Sequence, residues 1–149
     1  MKTVDIYTDG ACSYNPGPGG YGAVLIYGKT EKEISGYKEM TTNNEMELMA
    51  ALKALQMLKH PCKVTLYSDS AYLVNAFLQG WIENWESLGW NKKKDELKNR
   101  QLWMDLAAEA KKHQMTWVKV KGHSDNEYNN RCDELARNEI IRNHKPSKE

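Results

Sequence analysis

Ile6-Tyr7-Thr8-Asp9-Gly10-Ala11 and Leu66-Tyr67-Ser68-Asp69-Ser70-Ala71 echo each other, and in each an extended, alternating run closes on an aspartate. Side chains in a strand repeat every two residues, so Asp9 is in phase with Asp5 and Tyr7, and Asp69 with Thr65 and Tyr67. Neighbouring strands ending this way bring two carboxylates to one sheet edge. Like charges that close repel unless a cation lies between them. The pair therefore points to a divalent metal, and a metal held by carboxylates points to phosphate chemistry. The competing reading is turn chemistry, since aspartate often ends a strand before Gly or Ser.

Working outward, residues 3–9, 21–27 and 33–40 read as three strands joined by short, antiparallel connections. Asn15-Pro16-Gly17-Pro18-Gly19-Gly20 is a dense turn signal between the first two. A helix rich in Met, Leu and Ala covers 44–59 and stops before Pro61. A fourth strand, 63–68, is reached through that helix and so pairs in parallel. Helices over 71–79 and 98–113 flank an excursion rich in Trp and Lys. A fifth strand covers 115–120 and a last helix 126–143. The expected fold is α/β: a five-stranded mixed sheet, three strands antiparallel and two further strands parallel, flanked by helices.

At 149 residues the chain has the length for one domain with a real core, expected over residues 1–143, with 144–149 a polar tail. A net charge of +1 excludes a globally basic nucleic-acid binder, so any attraction must come from a local patch. No apolar run is long enough to cross a bilayer and no signal-peptide core follows Met1, so a cytoplasmic protein without a membrane partner is expected. Cys12, Cys62 and Cys132 are odd in number and widely spaced, which argues against a disulfide framework and a zinc site.

Two more acids lie on helices. From Glu47, steps of three and four residues reach Ala50, Ala51, Ala54, Leu55 and Leu58, so Glu47 sits on the stripe that faces the sheet. A lone carboxylate there is costly to bury. The alternative is an acid that complements the helix dipole, a role Glu45 can fill with Thr42 as capping partner. In the last helix the stripe is Tyr128, Cys132, Leu135, Ala136 and Ile140, with Asp133 at its edge. Asp133 can equally pair with Arg137 four residues on.

Tyr7-Thr8-Asp9-Gly10, Asn15 to Ala23, Thr42-Asn43-Asn44, Met46-Glu47-Leu48, Ser68-Asp69-Ser70, Lys121-Gly122-His123 and Arg131 to Ala136 stand in this order along the chain. The set resembles bacterial type 1 ribonuclease H from about residue 3 to residue 142. That resemblance implies endonucleolytic hydrolysis of the RNA strand of an RNA/DNA hybrid. It makes Asp9, Glu47, Asp69 and Asp133 the four metal-binding carboxylates. It makes His123 an auxiliary group for proton transfer or product departure, against the alternative of a surface histidine. An all-carboxylate set suits Mg²⁺, two ions once substrate is bound, with Mn²⁺ as substitute. Water is then the nucleophile, leaving a 5′-phosphate and a 3′-hydroxyl.

By the same resemblance the loops carrying Cys12, Asn15, Asn43 and Asn44 read the minor groove, where RNA shows its 2′-hydroxyls. Thr42 would hold a phosphate of the DNA strand. Turn and cap chemistry is the other use of these residues. Trp81, Lys92, Lys93 and Lys94 belong to a basic protrusion expected to grip the DNA strand, whereas Trp85 and Trp103 read as core. Glu86-Ser87-Leu88 is not basic and Ala71 replaces a common Gln, so weaker, more salt-sensitive hybrid binding is expected. No additional hybrid-binding domain and no obligate protein partner are expected, and the resemblance implies a monomer. Two other readings compete: a DNA-cutting nuclease of similar fold, and a catalytically silent binding module, which the presence of all four acids opposes.

Overall fold

Alternation sets the sheet. In β1 (Lys2–Cys12) Val4, Ile6 and Thr8 are buried, while Asp5, Tyr7 and Asp9 point to the other face. β2 (Gly17–Tyr27) and β3 (Thr30–Thr41) follow as an antiparallel meander. Helix α1 (Asn43–Gln56) crosses to β4 (Cys62–Ser68), which lies parallel to β1, and β5 (Gln114–Lys119) lies parallel to β4. The order across the sheet is β3-β2-β1-β4-β5. Helices α2 (Ala71–Leu78), α3 (Trp81–Ser87), α4 (Arg100–Ala110) and α5 (Glu127–Asn143) complete the fold. This computed structural model describes residues 1–91, 97–122 and 126–144. Among them no helix is long and apolar enough to cross a membrane.

Val4, Ile6, Val64 and Leu66 of the sheet share one core with Leu48, Ala51 and Leu55 of α1 and with Trp103 and Leu106 of α4. Trp103 is fully buried, and its indole N–H donates to the Tyr72 hydroxyl at 3.1 Å. Trp85 is partly buried and packs on Trp103 with ring centroids 5.2 Å apart, so Trp103 is core, as expected, and Trp85 lies against its edge.

Several boundaries differ from the sequence expectation. β1 continues past Asp9 to Cys12, and β3 begins at Thr30. α1 ends at Gln56, and Met57 caps it. The helix expected over 98–113 is α4, from Arg100 to Ala110, and the excursion before it contains α3. The glycines 17–20 belong to β2, not to the turn. Their small size serves packing: a Cβ on Gly20 would lie 2.2 Å from the Ala136 carbonyl oxygen, and one on Gly22 would lie 2.6 Å from that of Cys132. α5 is thus seated directly on the β2 backbone.

A similar approach occurs on the opposite face. A Cβ on Gly10 would lie 2.6 Å from the Glu47 nitrogen, so the first turn of α1 rests on β1 one residue beyond Asp9. Gly10→Ala should therefore push α1 away from β1. We expect a loss of about 1–3 kcal/mol in unfolding free energy by urea titration. Activity should fall by more than the unfolded fraction explains, because Glu47 moves with the helix.

Candidate active site

Parallel pairing runs from Lys2↔Cys62 to Tyr7↔Tyr67. The Tyr7 and Tyr67 rings stack with centroids 4.4 Å apart. Two residues further along each chain, the same register sets Asp9 beside Asp69. β4 ends at Ser68, whereas β1 runs on beside β2 alone. The two aspartates therefore sit at the carboxyl ends of neighbouring parallel segments, where α/β sheets place their ligands.

Glu47 joins them from α1. Thr42 caps that helix, its hydroxyl accepting the Glu45 N–H at 3.1 Å. Glu45 is turned away toward Lys38 and the Thr41 hydroxyl. This leaves Glu47 to face the sheet, and its carboxylate forms a cluster with those of Asp9 and Asp69 in which ligand oxygens lie within 4.8 Å of one another. Asp9 is 6% exposed and Glu47 7%.

Burial first, then the negative charges of Asp69 and Asp133, push the Asp9 carboxyl up to about 7. Burial, with Asp9 and Asp69 beside it, holds the Glu47 carboxyl well above the usual carboxylate range. The Gly10 N–H, which donates to Asp9 Oδ1 at 2.9 Å, opposes both shifts without cancelling them. Glu47 Oε1 is buried and accepts no hydrogen bond among the described residues. A buried, orphaned carboxylate oxygen facing two other carboxylates is the local chemistry that a hard cation relieves.

Asp133 lines the same pocket, a concavity of ≈ 280 Å³ shared with Asp9, Glu47, Asp69, Cys12, Asn43 and Asn129. It stands outside the tight cluster, and Arg137 Nε holds its Oδ2 at 3.0 Å. Asp133 thus pairs with Arg137, the alternative its spacing offered, while lying close enough for its charge to raise the Asp9 carboxyl. Asn129, one helical turn before it, was not anticipated. It is buried, and its Oδ1 accepts no hydrogen bond among the described residues. The available signal was its position three residues before buried Cys132, on the seated face of α5.

Cys12 and Asn43 also line the pocket. Cys12 Sγ donates to the Thr41 carbonyl at 3.3 Å, and Asn15 Oδ1 accepts the Asn43 N–H at 2.9 Å. The Cys12–Asn15 loop and the start of α1 are thereby tied together beside the acids. Asn44 is exposed on the first turn of α1. Trp81 is half-buried, its ring against Trp85 with centroids 6.2 Å apart. His123, Lys92, Lys93 and Lys94 lie outside the described residues.

Comparison with known proteins agrees with this geometry. The family model described as RNase H matches residues 1–141. The ribonuclease H of Acetivibrio thermocellus is 63% identical over 146 residues, covering 97% of this chain and 99% of its own. That of Moorella thermoacetica is 64% identical over 138 residues, covering 92% and 91%. Among solved structures, LC9-RNase H1, a type 1 RNase H with the type 2 active-site motif, shares the fold with a TM-score of 0.84. Its identity is 24%, over 93% of this chain and 72% of its own. LC11-RNase H1 in complex with an RNA/DNA hybrid has a TM-score of 0.71 and 28% identity, covering 93% of this chain and 97% of its own. With a clustered set of acids at the sheet edge and relatives this similar over nearly their whole length, the chain belongs to the ribonuclease H family of enzymes.

Proposed function

We propose that this enzyme cuts the RNA strand of RNA/DNA hybrids internally, leaving 5′-phosphate and 3′-hydroxyl ends, with residues 1–143 as its catalytic domain. The observation that carries the reading is the cluster of Asp9, Glu47 and Asp69, with oxygens within 4.8 Å and Glu47 Oε1 unpartnered. A similar fold solved with a hybrid bound supports the choice of substrate.

Asp9, Glu47, Asp69 and Asp133 are the residues that would hold Mg²⁺, two ions with substrate present and Mn²⁺ as substitute. When bound, the ions supply Lewis acidity that activates water and stabilises the departing oxygen. The remaining work falls to the chain itself. Asp9 and Glu47 are preorganised by the β1–β4 register and by the rigid seat of α1 on Gly10. The bond from Asn43 N–H to Asn15 fixes two amide-bearing loops side by side, a suitable rim for 2′-hydroxyls. That rim favours a hybrid over a DNA duplex, which lacks those groups. His123 assists a proton transfer and is not essential to it. The protein acts as a monomer, and Lys92, Lys93 and Lys94 meet phosphates of the DNA strand.

Labelled RNA/DNA, RNA/RNA, DNA/DNA and single-stranded RNA separate these readings. Only the RNA strand of the hybrid should be cut, and only with a divalent ion. Undiminished cutting in EDTA, or equal cutting of DNA/DNA, contradicts the proposal. Asp9→Asn should lose nearly all turnover, whereas His123→Ala should be slow but clearly active.

The raised Asp9 carboxyl also has a consequence for stability. An aspartate has a pKa near 3.9 when unfolded, and Asp9 is raised to about 7 in the folded protein. The folded state holds the proton more tightly, so this group's stabilising contribution is complete below about pH 4 and is lost as pH rises toward 7. Without metal, thermal melts should show falling stability across that window. Asp9→Asn keeps an acceptor for the Gly10 N–H and removes the charge. Its melting temperature at pH 8 in EDTA should exceed the parent's by about 3 °C or more, with the gap closing toward pH 4. A variant less stable than the parent at pH 8 would show that burial and repulsion at Asp9 are not what limits the metal-free fold.

A further inference from the structure

Three described residues other than glycine have a left-handed backbone: Tyr14, Trp90 and Asn99, with φ of 56°, 65° and 59°. Two have an evident local return. Asn99 caps α4, and its side-chain amide donates to the Tyr72 hydroxyl at 3.1 Å. Trp90 packs its ring on Trp85, centroids 6.4 Å apart. Tyr14 has no such return. It is 87% exposed, more than any other large apolar or aromatic side chain described. For a bulky residue this backbone region costs about 1–2 kcal/mol, which glycine or asparagine largely avoids. Among the described residues no hydrogen bond or ring contact holds this strained, solvent-facing side chain.

Its location shows what it faces. Tyr14 lies between Cys12, which lines the acid pocket, and Asn15, whose side chain binds the start of α1. The loop is closed tightly: Ser13 N–H donates to the Pro18 carbonyl at 2.9 Å, and a Cβ on Gly17 would lie 2.1 Å from the Ser13 carbonyl oxygen. The ring is therefore presented on a firm support at the rim of the site.

We propose that Tyr14 is a substrate-contacting residue, its ring packing against sugar faces in the minor groove of the hybrid where the duplex crosses the pocket. The proposal rests on the reading of the substrate as an RNA/DNA hybrid. A shallow minor groove offers ribose and deoxyribose faces within reach of a projecting ring, and at 87% exposure the Tyr14 side chain stands clear of its own loop. Contact with an aromatic ring is sequence-tolerant, so Tyr14 adds affinity without choosing cleavage positions.

The test uses the full chain and one short fluorescent hybrid. Steady-state kinetics in Mg²⁺ and hybrid binding by fluorescence anisotropy in EDTA are compared for the parent, Tyr14→Phe, Tyr14→Asn and Tyr14→Gly, with a thermal melt of each. Asn tolerates the left-handed backbone without loosening the loop as Gly does. Tyr14→Asn and Tyr14→Gly should both raise KM and weaken anisotropy binding by about fivefold or more. Their kcat should stay within about twofold of the parent, because the contact is alike in ground and transition states. Tyr14→Phe should bind like the parent. The melting temperature of Tyr14→Asn should equal or exceed the parent's, which separates lost contact from lost folding. Parent-like KM and binding in Tyr14→Asn would overturn the proposal. So would a rise confined to Tyr14→Gly, which would assign the effect to loop stiffness, or a fall in kcat with KM unchanged. If the parent binds the hybrid but does not cut it, the functional reading fails alone, and anisotropy still decides the role of Tyr14. If the parent does not bind the hybrid, both fall.

Discussion

Three carboxylates held with oxygens within 4.8 Å repel one another, and two are almost fully buried. Burial and mutual repulsion oppose this cluster without a cation and the Gly10 N–H does not cancel them, so the rest of the fold has to impose it. Three constraints do so. The parallel register of β1 and β4 carries Asp9 and Asp69 to the same level. The apolar stripe of α1, continuous through Ala50, Ala51, Ala54 and Leu55, presses Glu47 onto the sheet at Gly10. On the opposite face, Gly20 and Gly22 admit α5 to the β2 backbone and so bring Asp133 to the pocket. Hydrophobic burial along these elements offsets the electrostatic cost at their ends.

The same logic shows why the acids survive as acids. Among the described residues no ion pair involves Asp9, Glu47 or Asp69, although Lys and Arg engage acids elsewhere: Arg131 with Glu33 and Glu134, Arg142 with Glu139, Lys111 with Glu86. A lysine reaching the cluster would satisfy it internally and leave little to attract an external cation. Arg137 comes nearest in role, and it binds Asp133, the acid standing outside the tight group. Pairing there orients the fourth carboxylate and leaves the other three without a cationic partner among the described residues.

Much of this could be read from the residues alone, because the signals were periodic. Alternation in Ile6 to Asp9 and in Leu66 to Asp69 predicted two strands in phase, and the observed register agrees. Glu47 stood out as a carboxylate on an apolar helical stripe, which is where it lies. What was not legible depended on contacts distant in sequence. Gly17 to Gly20 carry the local chemistry of a turn, yet they lie in β2, and at Gly20 the bare backbone seats α5, more than a hundred residues later in the chain. Asn129 and Glu139 break the apolar pattern of α5 and are nevertheless buried, Glu139 because Ser35, Arg142 and Asn143 supply its hydrogen bonds. A periodicity argument has no means of anticipating partners contributed by another element.

Strain and function also share an address. Asp9 and Glu47 carry an electrostatic cost inside the pocket, and Tyr14 carries a backbone cost two residues beyond Cys12, which lines it. Elsewhere the molecule resolves comparable tensions: the Tyr72 hydroxyl receives both the Trp103 indole N–H and the Asn99 amide, and Trp90 rests on Trp85. Protein stability is a small difference between large terms, so a site that leaves several such costs uncompensated draws on the core that carries it. A cation that neutralises the acids offsets the electrostatic cost there, whereas the backbone cost at Tyr14 is set by its φ of 56° and stays with the loop. Relief of carboxylate repulsion by a bound cation is therefore the coupling through which occupancy of this site feeds back on the stability of the fold that carries it.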